Sequence, residues 1–174
     1  MKRVFIAVEI SEKIKEEILK IQKQLPRFNG KLTEKENLHL TLKFIGEISE
    51  EKIEKIKEKL REIKFKPFEA VLGKIGFFEK GERGIIWIKL ANCNALQKEV
   101  NKKLEEFFEK ERKFMSHLTI ARVKNVKNRK EFMEELNKIK ISLLKFHVGE
   151  FILKESIPQK QKHIYKDLKR YKLI

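Results

Sequence analysis

Two four-residue words, His39-Leu40-Thr41-Leu42 and His117-Leu118-Thr119-Ile120, recur 78 positions apart in a chain of 174 residues. Their surroundings recur with them. The first half reads as a strand at 4–8, a helix from Ser11 to about residue 25, and an alternating strand at 37–45. A helix opened by Ser49, with Ile53, Ile56, Leu60 and Ile63 at helical spacing, and a strand over about 65–77 complete it. That last strand is expected to be interrupted near Pro67 and Gly73. After the turn at 81–84 the same order returns: a strand at 85–90, a helix over about 94–111 carrying Leu96, Val100, Leu104 and Phe107, and a strand at 115–123. A helix at about 129–140 and a strand at about 145–153 close it. The segment 26–36, with Pro26 and Asn29-Gly30, reads as a loop. Self-similarity at a fixed offset is the mark of an internal duplication.

Strands backed by helices in this order imply the α+β class, as one domain over 1–174 built from repeats of roughly 1–80 and 81–174. No Gly-rich phosphate loop follows any strand, so a doubly wound nucleotide-binding fold gains no support. Packing about a pseudo-twofold axis would bring the two words face to face across a cleft.

Lys and Arg number 42 against 26 Asp and Glu, a formal charge of +16, while hydrophobic residues still make up 41% of the chain. The core is therefore ordinary and the charge is added on top of it, which excludes disorder and sets up a long-range field that attracts polyanions. Adaptation to heat would account for abundant charge but not for its imbalance. Nucleic acid is the first partner to consider. The single cysteine, Cys93, forms no internal disulfide, and its neighbours Asn92 and Asn94 offer nothing to activate it; it reads as a plain loop residue. With no signal-peptide pattern after Met1 and no apolar run long enough to span a bilayer, the expectation is a cytoplasmic protein without membrane contact.

Residues two apart on a strand share a face, so each word presents an imidazole and a hydroxyl together while Leu38, Leu40, Leu118 and Ile120 anchor the other side. Opening a cyclic phosphate with water needs one group to take a proton from the water and another to protonate the departing sugar oxygen. Imidazoles, with a reference pKa of about 6.5, serve both roles. The hydroxyls of Thr41 and Thr119 are suited to hydrogen-bond the non-bridging oxygens. A lone histidine in an amphipathic strand would be a bystander; two identical His-Leu-Thr words at equivalent places are not. Zinc would call for three or four ligands, and neither word carries a carboxylate or cysteine, so no metal and no cofactor are expected. Lys43 has the parity of His39 and is a candidate phosphate contact. Trp87 reads as core, His147 as a strand residue and His163 as a surface one.

At these residues the chain resembles the 2H phosphoesterase superfamily, and within it the RNA 2′,3′-cyclic phosphodiesterases also called 2′-5′ RNA ligases. The resemblance rests on Arg3-Val4-Phe5-Ile6-Ala7, on residues 37–46 and 117–122 around the two words, and more loosely on a closing segment from Leu153 through Ser156 to Tyr165 and Leu168. It implies a bilobal fold with a central cleft between two antiparallel sheets and helices outside. It also implies hydrolysis of an RNA 2′,3′-cyclic phosphate to a 2′-phosphate, with His39 as general acid and His117 as general base. The reverse reaction would join RNA ends through a 2′-5′ linkage. RNA ends, tRNA fragments among them, are then the expected partners of a monomer. Arg122 matches the family's arginine and would bind phosphate, yet by alternation it has the parity of Leu118, so a bend, a bulge or its own length must bring it to the cleft. Phe5 matches a family aromatic that could stack on a base, although core packing explains it more simply. A glycine the family carries between the Ser and the Tyr is missing from residues 158–163, which puts the shape of that closing loop in question. Two other readings keep part of the pattern: the same chemistry on small cyclic nucleotides or cyclic ADP-ribose derivatives, and a non-catalytic RNA-binding module, which would leave the repeated words without a purpose.

Overall fold

The computed structural model describes residues 1–160 and 162–174. In chain order the strands are β1 (Lys2–Glu9), β2 (Asn29–Leu32), β3 (His39–Ile48), β4 (Phe68–Lys80), β5 (Arg83–Ala91), β6 (His117–Asn125), β7 (Lys145–Val148), β8 (Glu150–Pro158) and β9 (His163–Lys172). The helices are α1 (Glu12–Gln22), α2 (Glu50–Arg61), α3 (Asn94–Lys103) and α4 (Arg129–Lys138). All pairings described are antiparallel, in the order β7-β4-β5-β6-β3-β1-β8-β9, with β2 alongside β6.

The α+β class and the helix-backed antiparallel strands are as the alternation predicts. The two sheets are halves of one curled sheet, joined at its middle where β3 meets β6 through the pair Leu40↔Leu118. The curl is tight: only Gly149 separates β7, at one end of the strand order, from β8 near the other end. Each half of the sheet borrows strands from the other half of the chain. β4, the last strand of the first repeat, pairs with β5, and β8, from the second, pairs with β1 and carries β9 with it. The boundary between the sequence repeats near residue 80 is therefore not a boundary between sheet halves.

The helices cover one face. Ile14, Ile18 and Ile21 of α1, Ile53, Ile56 and Leu60 of α2, Leu96 and Val100 of α3, and Phe132 and Leu136 of α4 are buried in one core with Val4, Ile6, Val8, Leu40, Leu42, Ile86, Ile88, Leu118 and Ile120 from the strands. Each such side chain removed from water contributes about 1.5–3 kcal/mol. Local chemistry starts α2 as expected, the Ser49 hydroxyl accepting from the Lys52 N–H at 3.2 Å, and α4 is started in the same way by the Asn128 side chain, which accepts from the Glu131 N–H at 3.2 Å. Ser11 has the extended backbone of a cap but makes no capping hydrogen bond through its side chain.

Three expectations are corrected. Segment 26–36 is not a simple loop, because residues 29–32 form β2 against β6. Gly30 is required there: a Cβ on it would lie 2.1 Å from the Arg122 carbonyl oxygen. The helix expected to reach residue 111 ends at Lys103. The closing strand expected over 145–153 is instead β7 and β8, followed by β9, an edge strand whose lysines and arginines hide its alternation and discourage pairing with another chain. The expected interruption near Gly73 is present as a shift of register between Leu72 and Ile75. No helix among the described residues is long and apolar enough to cross a membrane.

Candidate active site

His39 opens β3 and His117 opens β6, the two strands that meet at the pseudo-twofold centre. Leu40 and Leu118 turn into the core, so the intervening residues turn the other way. His39, Thr41, His117 and Thr119 line one cleft of about 430 Å³. Both imidazoles are held identically: Nδ1 lies 2.7 Å from the carbonyl oxygen two residues back, Asn37 for His39 and Met115 for His117. A carbonyl only accepts, so each ring carries its proton on Nδ1 and leaves Nε2 as the basic nitrogen. Thr41 Oγ1 donates to Nε2 of His39 at 3.1 Å. Aromatic rings fix the imidazoles laterally: Phe5 and Tyr165 beside His39, Phe78 edge-on to His117 at 5.3 Å between centroids.

Burial is the main cause that pushes His39 down to about 4. The Asn37 carbonyl opposes it, the positive charges of Lys154 and Arg122 reinforce it, and Glu9 opposes it weakly. His39 is therefore neutral at pH 7 in the free protein. A histidine lowered in this way lends folding stability that is complete above its ordinary value near 6.5 and is lost as the pH falls through about 4. Lys154 lies close by, its side chain 8% exposed, paired with Glu9 at 2.9 Å and Asp167 at 2.6 Å.

Two β-bulges decide what else faces the cleft. Ala7 pairs with Thr41 but Ile6 pairs with Lys43, leaving Leu42 as an extra residue. Trp87 pairs with Thr119 but Ile86 pairs with Ala121, leaving Ile120 as an extra residue. Leu42 and Ile120 are again 78 positions apart. An extra residue inverts the alternation beyond it. Arg122 thereby lines the cleft, which resolves its parity. By the same step Lys43 is carried off it, and the expectation that Lys43 contacts phosphate is corrected. Its side chain is buried at 5% exposure, and Nζ donates to Asn101 Oδ1 at 2.7 Å and the Glu109 carbonyl at 3.1 Å. Phe44 takes the cleft position instead. A second irregularity follows between Phe44 and Gly46, whose φ of +90° a side chain would resist.

The family described as LigT-like phosphoesterase matches this chain twice, over residues 8–87 and 90–165. The chain belongs to that family. Among curated relatives, the RNA 2′,3′-cyclic phosphodiesterase of Methanocaldococcus jannaschii is 42% identical over 142 residues, 79% of this chain and 81% of that one. The protein of the same name from Archaeoglobus fulgidus is 35% identical over 174 residues, 96% of this chain and 98% of that one. Among solved structures, E. coli LigT complexed with 3′-AMP has the same fold, with a TM-score of 0.80 at 23% identity over 99% of this chain and 98% of that one.

For a LigT-like phosphoesterase the sequence missed several cleft residues. Arg3, Phe44, Ser156 and Tyr165 all line it, and so does His163, which is exposed as expected but has its Nδ1 3.4 Å from Ser156 Oγ. Phe5 is core, at 2% exposure, yet its ring also forms the cleft wall. The 78-residue offset could have flagged Phe44, since it corresponds to Arg122; nothing local could. Cys93 caps α3, fully buried, and burial pushes its thiol up to about 11, so it is no nucleophile at neutral pH. Trp87 is core, and His147 is an exposed residue of β7. Among the described residues no group of three or more His, Cys, Asp or Glu could hold a metal ion.

Gln22 was also missed. This buried residue at the end of α1 donates from Nε2 to the Ile120 carbonyl at 2.8 Å and to the Thr33 carbonyl at 2.9 Å. It fastens β6 where that strand changes partner from β3 to β2, two residues before Arg122. Gln22→Leu removes both bonds without opening a large cavity. Thermal unfolding should show a loss of about 1–3 kcal/mol, and kcat/KM should fall several-fold through the loosened bulge. An unchanged melting temperature would contradict this role.

Proposed function

We propose that this protein hydrolyses 2′,3′-cyclic phosphates at RNA ends to 2′-phosphates by acid/base catalysis between His39 and His117. The observation that carries the reading is the matched anchoring of two imidazoles, each Nδ1 on a carbonyl of its own strand, beside two threonine hydroxyls and an arginine in one cleft. The names of the relatives point the same way. Water attacks phosphorus opposite O3′ and gives its proton to Nε2 of His117. The P–O3′ bond breaks, and O3′ takes a proton from Nε2 of His39, leaving the phosphate on O2′. The two histidines then return to their starting states by exchange with solvent. Thr41, Thr119 and Arg122 hold the non-bridging oxygens, where charge is redistributed in the transition state.

His39 is neutral in the free protein and needs a proton to act as the acid. An anionic phosphate arriving beside it offsets its burial and favours the imidazolium, so proton uptake accompanies substrate binding. Ligation is the same ring opening with an RNA 5′-hydroxyl in place of water, which leaves a 2′-5′ phosphodiester. RNA ends, tRNA fragments among them, are the substrates we assign to a monomeric, cytoplasmic, metal-independent enzyme.

A cyclic-phosphate-ended oligonucleotide tests the proposal directly. The expected product is a 2′-phosphate, formed at the same rate in the presence of a chelator. A 3′-phosphate would reverse the assigned polarity, and loss of activity on chelation would overturn the metal-free scheme.

A further inference from the structure

A third imidazole reaches the cleft, and the acid/base scheme leaves it unused. His163 opens β9, is exposed, and lines the cleft together with its neighbour Lys162. Exposure does not leave it loose. Its carbonyl oxygen accepts from Asn37 Nδ2 at 3.0 Å, its Nδ1 lies 3.4 Å from Ser156 Oγ, and its ring stacks on Tyr165 with planes 20° apart and centroids 6.3 Å apart. Tyr165 in turn stands edge-on to His39, with 5.1 Å between centroids. His39, Tyr165 and His163 therefore form one wall that runs outward from the reacting centre. Asn37 ties its two ends, because its own carbonyl oxygen anchors Nδ1 of His39 while its amide holds the backbone of His163. Lys162 is fixed at its backbone, where its carbonyl oxygen accepts from the Gln159 N–H at 2.9 Å, yet its side chain makes no ion pair among the described residues.

The difference from the catalytic pair lies in the anchor. A carbonyl oxygen only accepts, so His39 and His117 present a basic Nε2, whereas a serine hydroxyl can donate. With Ser156 donating to Nδ1, His163 keeps its proton on Nε2, which has no other partner among the described residues. A fixed N–H donor beside an unneutralised lysine suits an anionic oxygen. Resting on the function proposed above, we infer that His163 and Lys162 bind the phosphodiester that links the terminal nucleotide to the rest of the RNA. The ribose whose O3′ takes its proton from His39 lies against that ring, and its C5′ end leads away from the reacting phosphorus. One ring further along the wall, a phosphodiester oxygen meets Nε2–H of His163 and the Lys162 ammonium. A mononucleotide with a free 5′-hydroxyl brings no anion to this point. The start of β9 thereby selects RNA ends over small cyclic nucleotides.

The test compares adenosine 2′,3′-cyclic phosphate with the dinucleotide ApA ending in the same cyclic phosphate. The parent protein should favour the dinucleotide in kcat/KM by about 10- to 100-fold at low salt, and His163→Ala should cut that preference about tenfold, through KM. His163→Gln, which keeps an N–H donor, should restore part of it. Lys162→Ala should lower the preference as well, and should flatten the dependence of log KM on log salt for the dinucleotide by about 0.7, the share of one single-strand phosphate contact. A preference that neither alanine variant changes, or an equal loss on both substrates, would overturn the site. If the parent protein turned over neither substrate, the function proposed above would fail, and binding would still decide this inference. The ratio of affinities for the dinucleotide 2′-phosphate and for 2′-AMP should fall about tenfold in His163→Ala, and an unchanged ratio would refute it.

Discussion

His117→Ala should lower kcat/KM on a cyclic-phosphate-ended oligonucleotide by about 10²- to 10⁴-fold, and His39→Ala should do the same, because each removes one of the two proton transfers. Both rings are only partly buried and anchor to backbone carbonyls of their own strands, so circular dichroism should show an intact fold in each variant. Leaving-group chemistry separates the two roles. An ester that releases p-nitrophenolate needs no acid, so His39→Ala should recover much of its activity on such a substrate while His117→Ala does not. The opposite pattern would exchange the roles of acid and base. Full activity of either variant on the oligonucleotide would remove the pair from the mechanism.

The second large effect is expected at Arg122. Its guanidinium lines the cleft beside Thr119, and a charge-assisted contact to phosphate lost from such a site costs about 10²- to 10³-fold in rate. Arg122→Lys should recover only part, since a point charge does not reproduce the planar fork. Lys43 is the informative contrast. Lys43→Met breaks buried hydrogen bonds to Asn101 and Glu109, so it should destabilise the fold by about 1–3 kcal/mol and leave kcat/KM within a few-fold of the parent. A fall in kcat/KM at Lys43 comparable with that at Arg122 would mean that the bulges do not aim these side chains as described.

Lys43 and Arg122 also mark where reading by alternation stops. Up to Thr41 and Thr119 the period of two holds, and the words reach the cleft as expected. Two residues later the rule gives the wrong face on both strands, because a bulge is a property of a strand pair and only its own strand can be read from the chain. Tyr165 and His163 escaped for a similar reason. They lie on β9, a charged edge strand that acquires its register from β8, and their place beside the cleft follows from the curl of the sheet. Gln22 gave no signal at all, since its two acceptors are backbone carbonyls of residues distant in sequence.

By itself the sequence determined the duplication, the antiparallel strand-and-helix class, the common face of each histidine and its threonine, and the positive field around them. Those depend on local periodicity and on composition, which are properties of a single strand, a single helix or the whole charge. Tertiary structure decided the exchange of β4 and β8 between sheet halves, the inversion that presents Phe44 and Arg122 and buries Lys43, and the burial that leaves His39 neutral. Each of these depends on which neighbour a strand meets and in what register, and that is settled only when the two repeats close on one another.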